Sequence, residues 1–100
     1  MYELAYTLTY LKIYKKYIQK DQKLLKALNK TLELMMQNPF YSSLNTHKVD
    51  TKRNKDIYSS RITGDWRIGW VFDEKAKKAI IICLEVGTHS EASQIYAKAS

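Results

Sequence analysis

Apolar and polar positions alternate at the start of the chain and then change to a helical spacing. In the first stretch the apolar positions are Tyr2, Leu4, Tyr6 and Leu8. This period of two predicts a strand over residues 2–9 with one buried face. Farther on, the apolar residues are Tyr10, Ile13, Tyr14, Tyr17 and Ile18, with lysines between them. That spacing predicts an amphipathic helix that begins at Tyr10.

A second helix is predicted between Asp21 and Pro39. The Asp21 carboxylate can accept hydrogen bonds from the first free backbone amides, which makes it a suitable N-cap. The apolar stripe consists of Leu24, Leu25, Leu28, Leu32, Met35 and Met36. Asn38 precedes a proline and therefore avoids the helical region, which ends the helix. Together the two segments predict an antiparallel helical hairpin, whose lysines we interpret as its solvated side.

Residues 40–56 show no hydrophobic period and are polar, so we expect a surface loop. The loop contains His47 and a group of basic residues, Lys48, Lys52, Arg53 and Lys55. A basic loop of this kind can bind phosphates, although it can equally be a solvated connection.

Three strands are predicted in the second half of the chain. Residues 57–62 alternate in polarity, and Thr63-Gly64-Asp65 supplies a turn. In the next strand one face carries Trp66, Ile68, Trp70 and Phe72, and the other carries Arg67, Gly69 and Val71. After a charged turn at residues 73–78, residues 79–86 are almost continuously apolar, as in a strand buried on both faces. The apolar run stops at Gly87-Thr88-His89.

The order of these elements indicates an α+β fold of the form β-α-α-β-β-β. We expect a four-stranded, mainly antiparallel sheet with the helical hairpin packed on one face. Residues 90–97 predict a short C-terminal helix. A chain of 100 residues supports one domain, over residues 1–100, with one modest core.

Composition and charge narrow the class of protein. No apolar run is long enough to span a bilayer, and the N-terminus lacks the pattern of a secretory signal. The single cysteine, Cys83, lies in the buried-strand run and is expected to be a core residue in a reducing compartment. A formal net charge of +7 suggests a polyanionic partner, either nucleic acid or an acidic protein segment.

Familiar catalytic motifs are absent from the sequence, which has no glycine-rich phosphate loop, no zinc-ligand pair and no GxSxG segment. Asp65 and Glu85 are isolated carboxylates, so we expect no metal site and no cofactor. The remaining residues suit metal-free cleavage of RNA through its own 2′-hydroxyl, which needs proton transfer and cations around the phosphate. Histidine can transfer protons near neutral pH, and arginine offers a fixed fork of donors to phosphate.

Five residues supply these chemical types, namely His89, His47, Asp65, Arg61 and Arg67. Each also has a structural explanation. His89 could be a turn residue bonded to backbone, His47 a surface residue, Asp65 an ordinary turn aspartate, and Arg67 its ion-pair partner. The residues alone leave these alternatives open.

The order of elements, the stretch IYSSRITGDWRIGWVF and the segment GTHSEASQIY resemble the RelE/ParE superfamily of toxins from type II toxin–antitoxin modules. This superfamily includes ribosome-dependent mRNA endonucleases (RelE-, YafQ-, YoeB- and HigB-like) and gyrase inhibitors (ParE-like). The resemblance implies one toxin domain over residues 1–100, but a fold alone does not select among these activities.

Two sets of site residues follow from the resemblance. The catalytic residues of YafQ-like nucleases match His47 in THKV, Asp65 in GDW and His89 in GTH. The RelE-like pattern matches Arg67, Arg61 in place of a lysine, and Tyr96. The chain departs from both patterns, because Arg61 stands where YafQ-like proteins have a further histidine and His89 where RelE-like proteins have an arginine.

We therefore expect a cytoplasmic, metal-independent mRNA endonuclease that cleaves through the 2′-hydroxyl in the A site of the small ribosomal subunit. A cognate antitoxin would block it, and Lys48, Lys52, Arg53 and Lys55 would contact RNA phosphates. Tyr96 would stack on a base or assist deprotonation. The alternatives are a ParE-like inhibitor of DNA gyrase without catalytic chemistry and a homologue that has lost its nuclease activity.

Overall fold

A five-stranded mixed sheet and two helical segments form the molecule in the computed structural model, which describes residues 1–49, 57–73, 75 and 79–88. The strands are β1 (Glu3–Tyr6), β2 (His47–Val49), β3 (Ile57–Arg61), β4 (Trp66–Phe72) and β5 (Ile80–Thr88). They lie in the order β1-β5-β4-β3-β2. β1 runs parallel to β5, and the other three pairings are antiparallel.

The prediction of four strands was wrong, because the region assigned to a loop contains β2. This edge strand has three residues, His47–Val49, and pairs with β3 from His47 opposite Ser59 to Val49 opposite Ile57. Three mostly polar residues are too short a stretch to show a hydrophobic period in the sequence. Their strand conformation is fixed instead by hydrogen bonds to β3. The prediction that most strand pairings are antiparallel is confirmed.

The first helix begins two residues earlier than predicted. Helix α1 spans Leu8–Ile13 and continues as a wider π-helical segment over Tyr14–Ile18. Thr7 is its N-cap: the hydroxyl oxygen accepts from the Tyr10 amide at 3.1 Å. The same hydroxyl donates to the Leu84 carbonyl. The predicted strand 2–9 therefore ends at Tyr6, because Thr7 ties the helix start to β5.

Helix α2 spans Gln22–Gln37 and confirms the predicted second helix. The Asp21 carboxylate accepts from the Leu24 amide at 3.1 Å, as expected of an N-cap. Asn38 is extended, with φ −160° and ψ 104°, which ends the helix immediately before the proline.

The main core lies between the helices and one face of the sheet. Trp70, Ile68 and Leu28 are fully buried in it, and Trp66 and Phe72 pack against it, so the predicted common face of β4 is confirmed. Cys83 is also buried here, as predicted, and burial raises the pKa of its thiol to about 12.

The other face of the sheet, which we call the second face, carries a smaller apolar cluster. Ile57 is buried there against Val49, Val71 and Leu84. A register shift between Gly69 and Trp70 in the β4–β5 pairing brings Leu84 into this cluster. The last predicted strand exists, but it runs to Thr88 rather than to residue 86.

The predicted helix at residues 90–97 lies outside the described residues. Among those that are described, none belongs to a helix with the length and apolar character needed to cross a membrane.

Candidate functional site

Two arginines from neighbouring strands stand opposite each other on the second face. Arg61 ends β3, and its register partner in β4 is Arg67. Because directly opposed residues project to the same side of a sheet, both guanidinium groups belong to one face. Ile57 and Arg61 share this face by the alternation of β3. We call Arg61 and Arg67 the arginine pair; together they supply ten N–H donors of fixed positive charge, five from each guanidinium.

Arg67 is held in place by backbone carbonyls. Its Nη1 donates to the Thr63 carbonyl at 2.7 Å and to the Trp66 carbonyl at 3.3 Å. Both acceptors belong to the β3–β4 turn and its exit, so the side chain is ordered before any ligand arrives. Both of these bonds are made by one nitrogen of the planar guanidinium group, which has five N–H donors in total.

Arg61 is exposed, and its backbone is fixed from the opposite side of the sheet. The buried Thr31 hydroxyl of α2 donates to the Arg61 carbonyl at 3.3 Å. This bond connects the second helix to the end of β3. Sequence reasoning missed Thr31, because a threonine within a helix usually faces solvent or its own backbone.

His47 joins the arginine pair on the second face, which the sequence could not decide. It lies opposite Ser59 in the β2–β3 pairing, and Arg61 is two residues farther along β3. His47 and Arg61 are therefore diagonal neighbours, which in a sheet are roughly 7–8 Å apart at their Cα atoms. The exposed imidazole has its Nδ1 atom 3.1 Å from the Asn45 carbonyl oxygen.

A chain of hydrogen bonds anchors the residue that precedes His47. The Trp70 Nε1–H donates to the Ser60 hydroxyl at 2.8 Å, which lies 2.7 Å from the Thr46 hydroxyl. The Thr46 hydroxyl is also 2.6 Å from the Pro39 carbonyl. A carbonyl can only accept, so Thr46 donates to Pro39 and Ser60 must donate to Thr46. We call this set, Trp70–Ser60–Thr46–Pro39, the hydroxyl chain.

Asp65 lies at the turn, exposed to solvent. The Thr63 hydroxyl accepts from the Asp65 amide at 3.3 Å and from the Trp66 amide at 3.1 Å, which forms a compact turn. Within residues 57–73 the Arg67 guanidinium bonds to carbonyls and not to the Asp65 carboxylate. The simple ion pair considered from the sequence is therefore not what positions Arg67.

Glu85 is a buried carboxylate on the second face that sequence reasoning considered only as a metal ligand. It lies opposite Gly69 in β4 and is 5% exposed. Since Arg67 lies opposite Gly87, two residues farther along β5, Glu85 and Arg67 are diagonal neighbours. A glutamate inside an apolar strand was the available signal, because a buried carboxylate requires a partner.

The remaining predicted residues divide into two groups. Lys48 lies opposite Tyr58, whose ring stacks on Trp70, so Lys48 is on the helix-packed side of β2 and not with the arginine pair. The others lie outside the described residues, namely His89, Tyr96, Lys52, Arg53 and Lys55. His89 follows Thr88 directly in the sequence, and Thr88 is the β5 partner of Trp66.

No group of three or more metal-binding side chains occurs within the described part of the chain. What the second face does bring together is an imidazole, that of His47, with two guanidinium groups, those of Arg61 and Arg67. This is an arrangement suited to a phosphodiester, since it can exchange a proton and stabilise negative charge on phosphoryl oxygens.

Several solved structures are similar to this chain over most of its length. The YoeB/ParE toxin from Agrobacterium tumefaciens matches at a TM-score of 0.72 and 16% identity, over 87% of this chain and 98% of its own. YafQ from E. coli gives 0.61 and 18%, over 92% and 98%. The RelE of a RelE–RelB complex from Pyrococcus horikoshii gives 0.67 and 15%, over 87% and 93%.

These matches show that the chain shares its fold with these three proteins, which agrees with the fold that the resemblance predicted. No family model and no curated protein sequence matches it. At such low identities the likeness establishes the fold, and the activity has to be argued from the site.

Proposed function

We propose that this chain is the toxin of a type II toxin–antitoxin module and acts as a metal-independent endoribonuclease on mRNA at the ribosome. The observation that carries the proposal is the grouping on the second face, where the arginine pair lies beside His47. Two opposed guanidinium groups beside an imidazole match what cleavage of an RNA phosphodiester requires.

In the proposed reaction the 2′-hydroxyl loses its proton and its oxygen attacks the adjacent phosphorus. The bond from phosphorus to the 5′-oxygen breaks, that oxygen takes up a proton, and a 2′,3′-cyclic phosphate remains. Arg67, ordered by the Thr63 carbonyl, and Arg61 bind the phosphoryl oxygens as their negative charge increases. His89 and His47 exchange the two protons.

Asp65 and Tyr96 have supporting parts in this proposal. The Asp65 carboxylate, exposed at the turn next to β4, shares the proton transfer or orients an imidazolium. Tyr96 stacks on a base or assists deprotonation. The basic residues Lys48, Lys52, Arg53 and Lys55 contact phosphates of the messenger or of the small ribosomal subunit around its A site.

The proposed protein partner is a cognate antitoxin. The P. horikoshii neighbour is a RelE bound to RelB. A domain with a net charge of +7 favours a partner with an acidic segment, because opposite charges steer association. The proposed location, the cytoplasm, is where both ribosomes and antitoxin would be available.

Primer-extension mapping of a translated mRNA, with and without ribosomes, tests the proposal. Wild-type protein should cut within codons only when ribosomes are present. Arg67→Ala should abolish cleavage, whereas the control Lys26→Ala removes one positive charge from an exposed position on α2 and should leave it unchanged.

Three outcomes would change the conclusion. Equal cleavage of free RNA would support the nuclease activity but contradict its dependence on the ribosome. Equal loss in both variants would mean that overall charge, not the arginine pair, governs activity. Absence of cleavage by wild-type protein would contradict the nuclease, and inhibition of DNA supercoiling by gyrase would then be measured.

A further inference from the structure

The three residues Asn45, Thr46 and His47 form a short segment that hydrogen bonds hold at each residue, through the Asn45 backbone, the Thr46 hydroxyl and the His47 ring. Asn45 follows the 3-10 turn Ser42–Leu44 and has left-handed backbone angles, φ 47° and ψ 43°. It is the only non-glycine residue with positive φ within the described residues. Asparagine adopts this region more readily than most side chains do.

The left-handed turn at Asn45 sets where its carbonyl points. That oxygen lies 3.1 Å from Nδ1 of His47. A carbonyl oxygen has no proton, so the bond requires that Nδ1 carry the hydrogen. A neutral imidazole has one protonated nitrogen, and Nε2 is consequently the nitrogen with the free lone pair.

Thr46, between these two residues, is attached to the interior by the hydroxyl chain. Its bonds to Pro39 and Ser60 are 2.6 and 2.7 Å long, and the chain ends at the fully buried Trp70. Each hydroxyl in the chain donates once and accepts once, so the direction of all three bonds is defined. The exposed His47 is therefore connected to the core through its neighbour rather than through its own ring.

We propose that Asn45 and Thr46 are positioning residues that hold neutral His47 in the Nδ1–H tautomer, with Nε2 as the atom that exchanges a proton with RNA. The assignment of Nε2 to the reaction rests on the proposed function. The tautomer itself depends only on the geometry of this segment. Asn45 acts through its backbone conformation and Thr46 through its hydroxyl, so each has a conservative replacement that should preserve its role.

The first measurement is the tautomer, read from long-range ¹H–¹⁵N correlations of histidine-labelled protein well above the usual histidine pKa of about 6.5. The His47 signals are assigned from their loss in His47→Gln. In the wild type, Nδ1 should be the protonated nitrogen. Asn45→Gly and Thr46→Ser should keep this pattern, because glycine accepts positive φ and serine retains the hydroxyl.

Asn45→Val and Thr46→Val should give a mixture of tautomers. Valine resists the left-handed region, and at position 46 it removes the hydroxyl while keeping the shape. Thermal unfolding of each variant is measured first, so that all spectra are recorded at a temperature at which every variant is folded. If Asn45→Val does not fold, Asn45→Ala takes its place.

The second measurement is mRNA cleavage by the same variants. The two valine variants should lose about tenfold or more, a part of the roughly 10²–10⁴-fold that general acid–base catalysis contributes. Asn45→Gly and Thr46→Ser should remain near wild type. An Nε2–H tautomer in the wild type, or an unchanged tautomer in both valine variants, would overturn the positioning role.

The two measurements separate this inference from the proposed function. Altered tautomers with unaltered cleavage would show that Nε2 of His47 takes no part in the reaction. If even wild-type protein fails to cleave RNA, the nuclease is wrong, and the tautomer of each variant alone then decides whether Asn45 and Thr46 position the ring.

Discussion

Arg61 and Arg67 lie directly opposite each other across the β3–β4 hairpin, with both side chains on the second face of the sheet. Like charges in directly opposed positions destabilise a sheet, by an amount of the same order as the roughly 0.2–1 kcal/mol of a favourable pair. The arrangement weakens the hairpin and at the same time concentrates positive charge where a phosphate would bind.

Replacing the exposed member of the pair should therefore stabilise the fold. Arg61→Thr removes the repulsion and introduces a residue favoured in strands, so we expect the free energy of unfolding to rise by about 0.5 kcal/mol. The gain should be larger at low salt, where screening is weak. Urea unfolding at two salt concentrations measures it, with Lys26→Ala as the charge control. A lower stability of Arg61→Thr at low salt would show that the pair is not repulsive.

Arg67→Lys separates the contribution of the guanidinium's hydrogen-bond donors from that of its positive charge. Lysine keeps the positive charge but cannot reproduce the two Nη1 bonds to the Thr63 and Trp66 carbonyls. We expect the free energy of unfolding to fall by about 0.5–1.5 kcal/mol. We also expect mRNA cleavage to be slower by about tenfold or more, which corresponds to a rise of roughly 1.4 kcal/mol in the activation free energy. Arg61→Lys, whose side chain is exposed, is the matched variant. Equal cleavage by Arg67→Lys and wild type would show that charge alone suffices at position 67.

Ser60→Ala should be strongly destabilising for its size. The hydroxyl is fully buried and joins Trp70 to Thr46, so its removal leaves the indole N–H without an acceptor, at a cost of about 1–3 kcal/mol. Trp70→Phe removes the donor as well, so the double variant should be less destabilised than the sum of the single variants. Denaturant unfolding of the four proteins measures this coupling, with Ser59→Ala as the neighbouring control. Strict additivity would mean that the bond contributes nothing.

Stability should fall in alkaline solution in a way that depends on Cys83. Burial raises the pKa of this thiol from 9.0 to about 12. Between these values the unfolded chain has lost the thiol proton and the folded chain has kept it. The unfolded state then binds fewer protons, so the free energy of unfolding decreases as pH rises, by up to about 1.4 kcal/mol per unit. Below pH 9 the contribution is constant.

Cys83→Ala should remove this part of the pH dependence, as measured by urea unfolding from pH 8 upward. The remaining fall should begin nearer pH 10, since burial also raises the pKa of Tyr10 above its usual value of 10.0. An identical alkaline profile in Cys83→Ala and wild type would contradict the buried, protonated thiol.

Local chemistry in the sequence was enough to determine the second helix, the β4 strand and the core. Three local features determine the second helix: the N-cap at Asp21, the apolar stripe from Leu24 to Met35 and the proline that follows. Each acts within one or two turns of the chain, so it is recognisable without knowledge of the tertiary structure. The same holds for the face shared by Trp66, Ile68 and Trp70, because strand alternation is a local property.

Pairing between distant segments was decided only by the tertiary structure. A three-residue edge strand carries no period, so β2 and the position of His47 become visible only once β3 is beside it. The same holds for the register that opposes the two arginines, for the buried Glu85 and for the hydroxyl chain from Trp70 to Pro39. Sequence supplied the residue types of the site, whereas contacts between residues far apart in the chain placed His47 and the arginine pair on one face.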